Sequence, residues 1–157
     1  MKPHDHKLLI GDVIHSLRSS HAHYRMVPPN GPEHPDLRWW QDEFPIATWG
    51  RVLWNAVPHS ECSNWARAAD AAETLRELCS NHKLGNSQVV VVWSNATQPC
   101  LELSLETVLL HAEPIIDADF DTWIICRAGG WCIEIYHEGE LCFGYTPAQA
   151  VFGSSLS

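Results

Sequence analysis

The sequence lacks long hydrophobic runs. Its longest apolar stretches, such as residues 89–93, are far shorter than the roughly 20 residues that cross a bilayer. No run of signal-peptide length opens the chain either, because the apolar residues 8–10 are followed at once by Gly11 and Asp12. We therefore expect a cytoplasmic protein that makes no use of a membrane.

Positive charge is nearly absent from the last sixty residues. Residues 98–157 contain one Lys or Arg, Arg127, against nine Asp and Glu, whereas residues 1–97 are almost balanced. The net formal charge of −9 therefore comes mostly from the carboxy-terminal part. A field of that sign repels phosphate backbones and steers basic molecules toward the protein. This distribution predicts a basic protein partner and disfavours direct binding of nucleic acid.

Motifs for catalysis and for cofactors are missing too. The chain has no GxSxG, no phosphate-binding loop and no dinucleotide fingerprint. Its ten histidines, including the pairs His4/His6 and His21/His23, do not fall into the CxxC or HExxH spacing of a zinc site. We expect no cofactor, no metal and no catalytic residue. The alternative is a small hydrolase in which His137 acts as a general base beside Glu138.

The six cysteines suggest small buried hydrophobic residues and not a disulfide framework. They lie at positions 62, 79, 100, 126, 132 and 142, and the last three fall inside apolar, strand-like runs. Without a visible export signal, we expect a reducing compartment and free thiols. Cys132, in an acidic neighbourhood and inside a strand, is expected to be a poor thiolate.

Hydrophobic spacing predicts two amphipathic helices. In the first, Ile46, Trp49, Leu53 and Val57 follow Pro45 at intervals of three and four residues, which would place Trp49 in the core. The second is capped by Ser63 or Asn64, carries Trp65, Ala68, Ala69, Ala72, Leu75 and Cys79 on one face, and ends at Gly85. Residues 10–17 fit either a helix or a short strand, residues 27–36 form a proline-rich loop, and residues 1–7 are expected to be flexible.

Strand patterns dominate the rest of the chain. The valine-rich run 88–93 is typical of a central strand, and runs 122–127, 131–137 and 140–145 are separated by the turn residues of a meander. Residues 101–112 fit both a strand and a helix, and we favour the strand. At 157 residues the chain has the length of a single domain. The sequence predicts one α+β domain over residues 1–157, with an antiparallel sheet and its carboxy-terminal meander packed against two amphipathic helices.

The densest acidic segment is the candidate contact surface. Asp117, Asp119 and Asp121 place three carboxylates in five residues, but they lack the spacing and closing glutamate of a calcium-binding EF-hand loop. Eight tryptophans suggest that some aromatic rings are part-exposed beside carboxylates, as in protein interfaces. We expect the partner-binding residues to be Asp117, Asp119, Asp121, Trp123, Glu134, Tyr136, Glu138 and Glu140.

Several runs resemble the immunity proteins of bacterial contact-dependent growth inhibition and related polymorphic toxin systems. They are Leu37-Arg38-Trp39-Trp40 leading through Phe44 to Trp49 and Leu53, then Trp123-Ile124-Ile125, and Trp131-Cys132-Ile133-Glu134-Ile135-Tyr136. The resemblance implies a small acidic α+β protein of the cytoplasm that binds a toxin domain, commonly a nuclease, and blocks it. A non-catalytic regulatory adaptor would have the same sequence features.

Overall fold

Seven antiparallel strands form one sheet in the computed structural model, which describes residues 10–148. The strands are β1 (Arg25–Val27), β2 (Glu61–Asn64), β3 (Gln88–Trp93), β4 (Cys100–Ser104), β5 (Thr122–Cys126), β6 (Trp131–Tyr136) and β7 (Glu140–Tyr145). Across the sheet their order is β1-β4-β3-β5-β6-β7-β2. The α+β class and the carboxy-terminal meander β5-β6-β7 are confirmed. The segment 1–7, with His4 and His6, lies outside the described residues.

In the described part of the chain, five α-helices accompany the sheet: α1 (Gly11–Ser19), α2 (Pro35–Glu43), α3 (Ala68–Asn81), α4 (Leu105–Leu110) and α5 (Ala112–Asp117). The second predicted helix corresponds to α3, although it is capped by Arg67, because Ser63 and Asn64 belong to strand β2. The open choice at residues 10–17 resolves to helix. Within the described residues, no helix has the length and apolar character needed to cross a membrane.

Residues 101–112 contain both of the structures that their pattern allows. Strand β4 ends at Ser104, whose hydroxyl then accepts a hydrogen bond from the Thr107 amide and caps α4. The strand that we favoured is therefore correct only for the first part of this segment. A polar cap in the middle of an apolar pattern separates the two elements.

The first predicted amphipathic helix, over residues 46–57, is wrong. Ile46 and Val52 instead pair as a β-bridge, the backbone N–H of Ala47 donates to the Arg51 carbonyl, and a short 3-10 helix, Trp54–Ala56, follows. A turn interrupts the helical spacing here, because Gly50 has a φ of +95°, a conformation that favours glycine. Trp49 is consequently 75% exposed and not part of the core.

The missed helix α2 follows the proline-rich segment, which forms the connection between β1 and α2. His34 caps this helix, since its side chain accepts a hydrogen bond from the Asp36 amide. Pro35 occupies the first turn, where its missing N–H costs nothing. This is the same chemistry that had been assigned to Pro45 one segment later.

Alternation along the strands gives the sheet two different faces. Trp131, Ile133 and Ile135 point to the face covered by α1, α3, α4 and α5, which we call the main face and which holds the larger apolar core. Cys132 and Glu134 point to the opposite side, the second face, which is covered by α2 and by the irregular segment 44–57. The alternation expected for this strand is confirmed.

Two of the six cysteines are not free thiols. Cys62 of β2 and Cys142 of β7 are direct partners in neighbouring strands and form a disulfide, so the expectation of six thiols is wrong for this pair. The error followed from the missed edge strand β2, since only that strand brings Cys62 opposite Cys142. Cys79, Cys100, Cys126 and Cys132 are free. Burial raises the pKa of the Cys132 thiol well above its ordinary value, as expected for a poor thiolate.

Candidate functional site

The second face carries a fully buried carboxylate in the middle of β6, that of Glu134. It accepts four hydrogen bonds: from Nε of Arg51 (2.6 Å), the backbone N–H of Val52 (2.9 Å) and the indole N–H groups of Trp54 (3.1 Å) and Trp123 (2.9 Å). These donors replace the water that a buried carboxylate loses. Glu134 therefore connects the irregular segment to the sheet through Arg51, Val52 and Trp54.

Arg51 connects this buried carboxylate with the surface. Its guanidinium donates to both Glu134 and Glu140, and its Cζ lies 4.0 Å from the centroid of the Tyr136 ring. Burial lowers the pKa of Arg51, but the hydrogen bonds and charges of the two carboxylates outweigh it, and the pKa is raised overall. Because its charge is neutralised within the protein, Arg51 orders the carboxylates around it and offers no free cation to a partner.

A short hairpin carries Trp49 away from the sheet. The amide of Gly50 donates to the carbonyl of Ala47 (2.8 Å), which closes the turn, and the next residue is the anchored Arg51. The Trp49 indole stands at the tip and is the most exposed of the large hydrophobic side chains in the described residues. Gly50, directly after Trp49, allows this turn, but a single glycine does not distinguish a hairpin from the helix that the spacing predicts.

Five of the predicted carboxylates lie at or beside one end of the sheet, where β3 ends, β5 begins, β6 ends and β7 begins. We call this region the acidic end; it comprises Asp117, Asp119, Asp121, Glu138 and Glu140. Two contacts fix its geometry, since Asp119 accepts from the Asn95 amide (2.8 Å) and Asp121 accepts from the His137 amide (2.9 Å). Asp121 directly precedes β5, and Glu138 and Glu140 lie at the β6–β7 turn, so the antiparallel pairing of β5 with β6 brings these three residues to the same end of the sheet.

His137 lies in this region and pairs with Asp121, not with Glu138. Its Nδ1 is 2.8 Å from Oδ1 of Asp121, and its ring makes edge contacts with Phe120 and Tyr136. Phe120 is 68% exposed and had not been singled out from the sequence. The hydrolase alternative relied on His137 beside Glu138, and the structure gives this histidine a different carboxylate.

Much of the charge at the acidic end is uncompensated. Glu140 pairs with Arg51 and Asp121 with His137. Within residues 10–148, no Lys, Arg or His nitrogen lies within 4.0 Å of the carboxylates of Asp117, Asp119 or Glu138. The region therefore presents net negative charge to the solvent.

The eight predicted contact residues divide into a surface set and an internal set. Asp117 and Glu138 are exposed, and Asp119, Asp121, Tyr136 and Glu140 are half-buried. Trp123 and Glu134 are buried, and the Trp123 indole N–H donates a hydrogen bond to the Glu134 carboxylate. Arg51 links the internal pair to the surface set, because it binds both Glu134 and Glu140, so the internal pair supports the site from within the fold.

A second charged cluster occupies the other half of the same face, and it is balanced. Glu102 receives two hydrogen bonds from Arg25 (2.6 and 2.9 Å) and one from Nε2 of His34. The Arg25 hydrogen bond is the main cause of a Glu102 pKa lowered to about 2. Asp36 pairs with Arg127 at 3.7 Å across a cleft of about 540 Å³ beside Glu102. Each of these carboxylates is paired with a basic side chain, unlike Asp117, Asp119 and Glu138 of the acidic end.

One cluster of possible metal ligands occurs in the part of the chain that the structure describes. It consists of Cys62, Cys142 and Glu140. The two sulfurs are bonded to each other, and the Glu140 carboxylate is held by Arg51. In this state the cluster offers no thiolate, which is the ligand form of cysteine.

Comparison with protein-family models gives a match. A family model described as CdiI immunity protein EcoliA0-like matches residues 34–144, which is more than half of the chain and runs from the cap of α2 into β7. No curated protein is significantly similar to the sequence. The match confirms the family suggested by the runs around Trp39, Trp123 and Trp131.

Proposed function

The chain belongs to the CdiI immunity protein family, EcoliA0-like, whose role is to neutralise a toxin, and on this premise we propose how it does so. The acidic end docks on a basic surface of the cognate toxin domain and occupies the cleft in which the toxin binds its substrate. We further propose that the toxin is a nuclease, since an enzyme that grips a polyanion needs such a cleft.

The observation that carries this proposal is the uncompensated negative charge at one end of the sheet. A patch of one sign attracts a patch of the other sign over a Debye length and raises the rate of encounter. Asp117 and Glu138 are exposed enough to meet a cation directly, while Glu140 and Tyr136 are held in place by Arg51. Neutralising a basic cleft by this means needs no catalytic residue on the immunity protein.

We also propose that binding takes place in the cytoplasm, where a nuclease would meet its substrate. The Cys62–Cys142 bond is the observation that opposes this, because disulfides are rare in that compartment. Trapping thiols with an alkylating reagent at the moment of lysis, followed by mass spectrometry, distinguishes the two states. Complete alkylation of Cys62 supports the cytoplasm, and a fully oxidised pair argues against it.

The test of the docking surface is a charge reversal that leaves the fold intact. We expect Asp117→Lys combined with Glu138→Lys to slow association with the cognate toxin domain by about tenfold or more, and to flatten the dependence of the rate on salt. Both side chains are exposed and neither makes an ion pair with a described residue, so the variant should keep its melting temperature.

A matched control separates position from total charge. Glu73→Lys combined with Glu106→Lys changes the net charge by the same amount at exposed sites outside the acidic end, on α3 and α4. This control should lose much less of the association rate. Equal effects of the two double variants, or no effect of either, would contradict the proposed docking surface.

A further inference from the structure

Trp49 has an unusual position for its residue type. Of the eight tryptophans, Trp40, Trp54, Trp93, Trp123 and Trp131 are buried, and Trp39 and Trp65 are half-buried. Only Trp49 is exposed, at 75%. An exposed indole at a hairpin tip contributes little to the apolar core. Its place is therefore better explained by a function outside the fold.

The hairpin that presents Trp49 is fixed to the sheet by hydrogen bonds. Arg51 and Val52 bind the buried Glu134 carboxylate, and hydrogen bonds between Ala47 and Arg51 and between Ala47 and Gly50 close the hairpin itself. Burying an ion pair is a costly way to stabilise a protein, since apolar side chains of similar volume often do as well or better. What the arrangement does supply is a fixed position for the residues next to it.

The surroundings of Trp49 match the composition of an interface centre. Arg51, two residues away, stacks on Tyr136 and contacts Glu140 of the acidic end. Tryptophan and tyrosine are among the residue types that contribute most to binding energy at interfaces, and they act best when carboxylates and other polar groups form the rim. Arg51 holds Tyr136 and Glu140 in place. A rigid indole also loses little conformational entropy when it is bound.

We propose that Trp49 is the anchor residue of this immunity protein, inserting its indole into an apolar pocket at the margin of the basic cleft of the toxin domain. This inference rests on the proposed function and adds a separate element to it. The acidic end governs how fast the two proteins meet, and the indole governs how slowly they part. The two contributions can therefore be measured independently.

The experiment compares Trp49→Ala with Leu110→Ala by surface plasmon resonance against the cognate toxin domain. Leu110 is a suitable control because it is 73% exposed and lies at the end of α4. We expect Trp49→Ala to raise Kd by about thirtyfold or more, mainly through faster dissociation. Leu110→Ala should stay within about threefold, and Trp49→Phe should recover part of the loss.

A measurement on the unaltered chain guards against effects of the substitution. Hydroxyl-radical labelling should modify Trp49 readily in the free protein and at least about tenfold more slowly in the complex, as expected for burial at an interface centre, while Leu110 is labelled equally in both. Wild-type Kd for Trp49→Ala, or unprotected Trp49 in a formed complex, overturns the anchor while leaving the docking surface standing. Protection of Trp49 in the chain alone at high concentration also overturns it, in favour of self-association. Failure of the wild type to bind the toxin domain overturns both.

Discussion

The two faces of the sheet are stabilised in different ways. On the main face, helices cover a continuous apolar core in which Leu75, Ile124 and Ile133 are fully buried. On the second face, a non-helical segment is fastened by hydrogen bonds to one buried carboxylate, Glu134. Apolar burial is non-directional and tolerates small shifts, whereas hydrogen bonds fix distances and angles. The main face thus supplies bulk stability, and the second face determines where the Trp49 hairpin and the acidic end are held.

Removing the buried Glu134 carboxylate should have the largest effect on the stability of the second face. Glu134→Ala removes the acceptor of three buried N–H donors and of Arg51 Nε, while Arg51 keeps its contact with Glu140, so we expect the free energy of unfolding to fall by about 3–5 kcal/mol. Urea denaturation measures this loss. In addition, the amide hydrogens of Ala47 and Val52 should exchange faster than those of the main-face strands, because the hairpin is released locally.

The adjacent residue provides the control, since Ile133 points to the main face from the same strand. Ile133→Val should lower the free energy of unfolding by about 0.5–1.5 kcal/mol. The amide exchange of Ala47 and Val52 should then change only as much as the loss of global stability requires. A loss below about 1 kcal/mol for Glu134→Ala, against the range expected for a broken buried pair, would show that the carboxylate does not organise the second face.

The disulfide belongs to the second face and yields a smaller effect. Cys62→Ala removes a cross-link between residues 80 positions apart, and such cross-links stabilise by about 2–4 kcal/mol. Because Cys62 is exposed, the substitution sacrifices little packing; Ser63→Ala, next to it and also exposed, is the matched control. A reducing agent should lower the melting temperature of the wild type and of the control but not that of Cys62→Ala. Equal melting of the wild type with and without the reductant would contradict this.

These differences explain which parts of the structure could be predicted from the sequence. Strands such as β6 were predictable because Trp131, Ile133 and Ile135 repeat with period two, and the helix α3 because its apolar face repeats with period 3.6. The segment 44–57 was not, since its conformation depends on Glu134, whose contact with Arg51 spans 83 residues. Local periodicity carries no information about such a distant hydrogen bond.

The same distinction applies to the candidate site. The proximity of Asp121, Glu138 and Glu140 follows from the strand pattern, because the start of β5 and the end of its antiparallel neighbour β6 lie at the same end of the sheet. The burial of Glu134 was not predictable, because an acidic residue at an alternating position normally faces water. Nor was the role of Arg51, which only the folded chain places over Tyr136.

The smallest expected effect concerns the balanced cluster on the other half of the second face. In the folded protein the pKa of Glu102 is lowered to about 2 by Arg25, from an ordinary value of 4.5. A lowered pKa means that the unfolded chain takes up the proton first, so this contact stabilises the fold above about pH 4.5 and loses its contribution as the pH falls toward 2. Glu102→Gln should therefore reduce the slope of unfolding free energy against pH in that interval.

The change should amount to less than about 1 kcal/mol, because the Arg25 side chain is 70% exposed and solvent screens the pair. Glu106→Gln, an exposed carboxylate on α4, is the control and should leave the slope as it is in the wild type. Parallel curves for Glu102→Gln and the wild type would mean that this cluster does not stabilise the fold. A larger effect than that of Glu134→Ala would reverse the comparison, since the exposed pair and not the buried carboxylate would then hold the second face together.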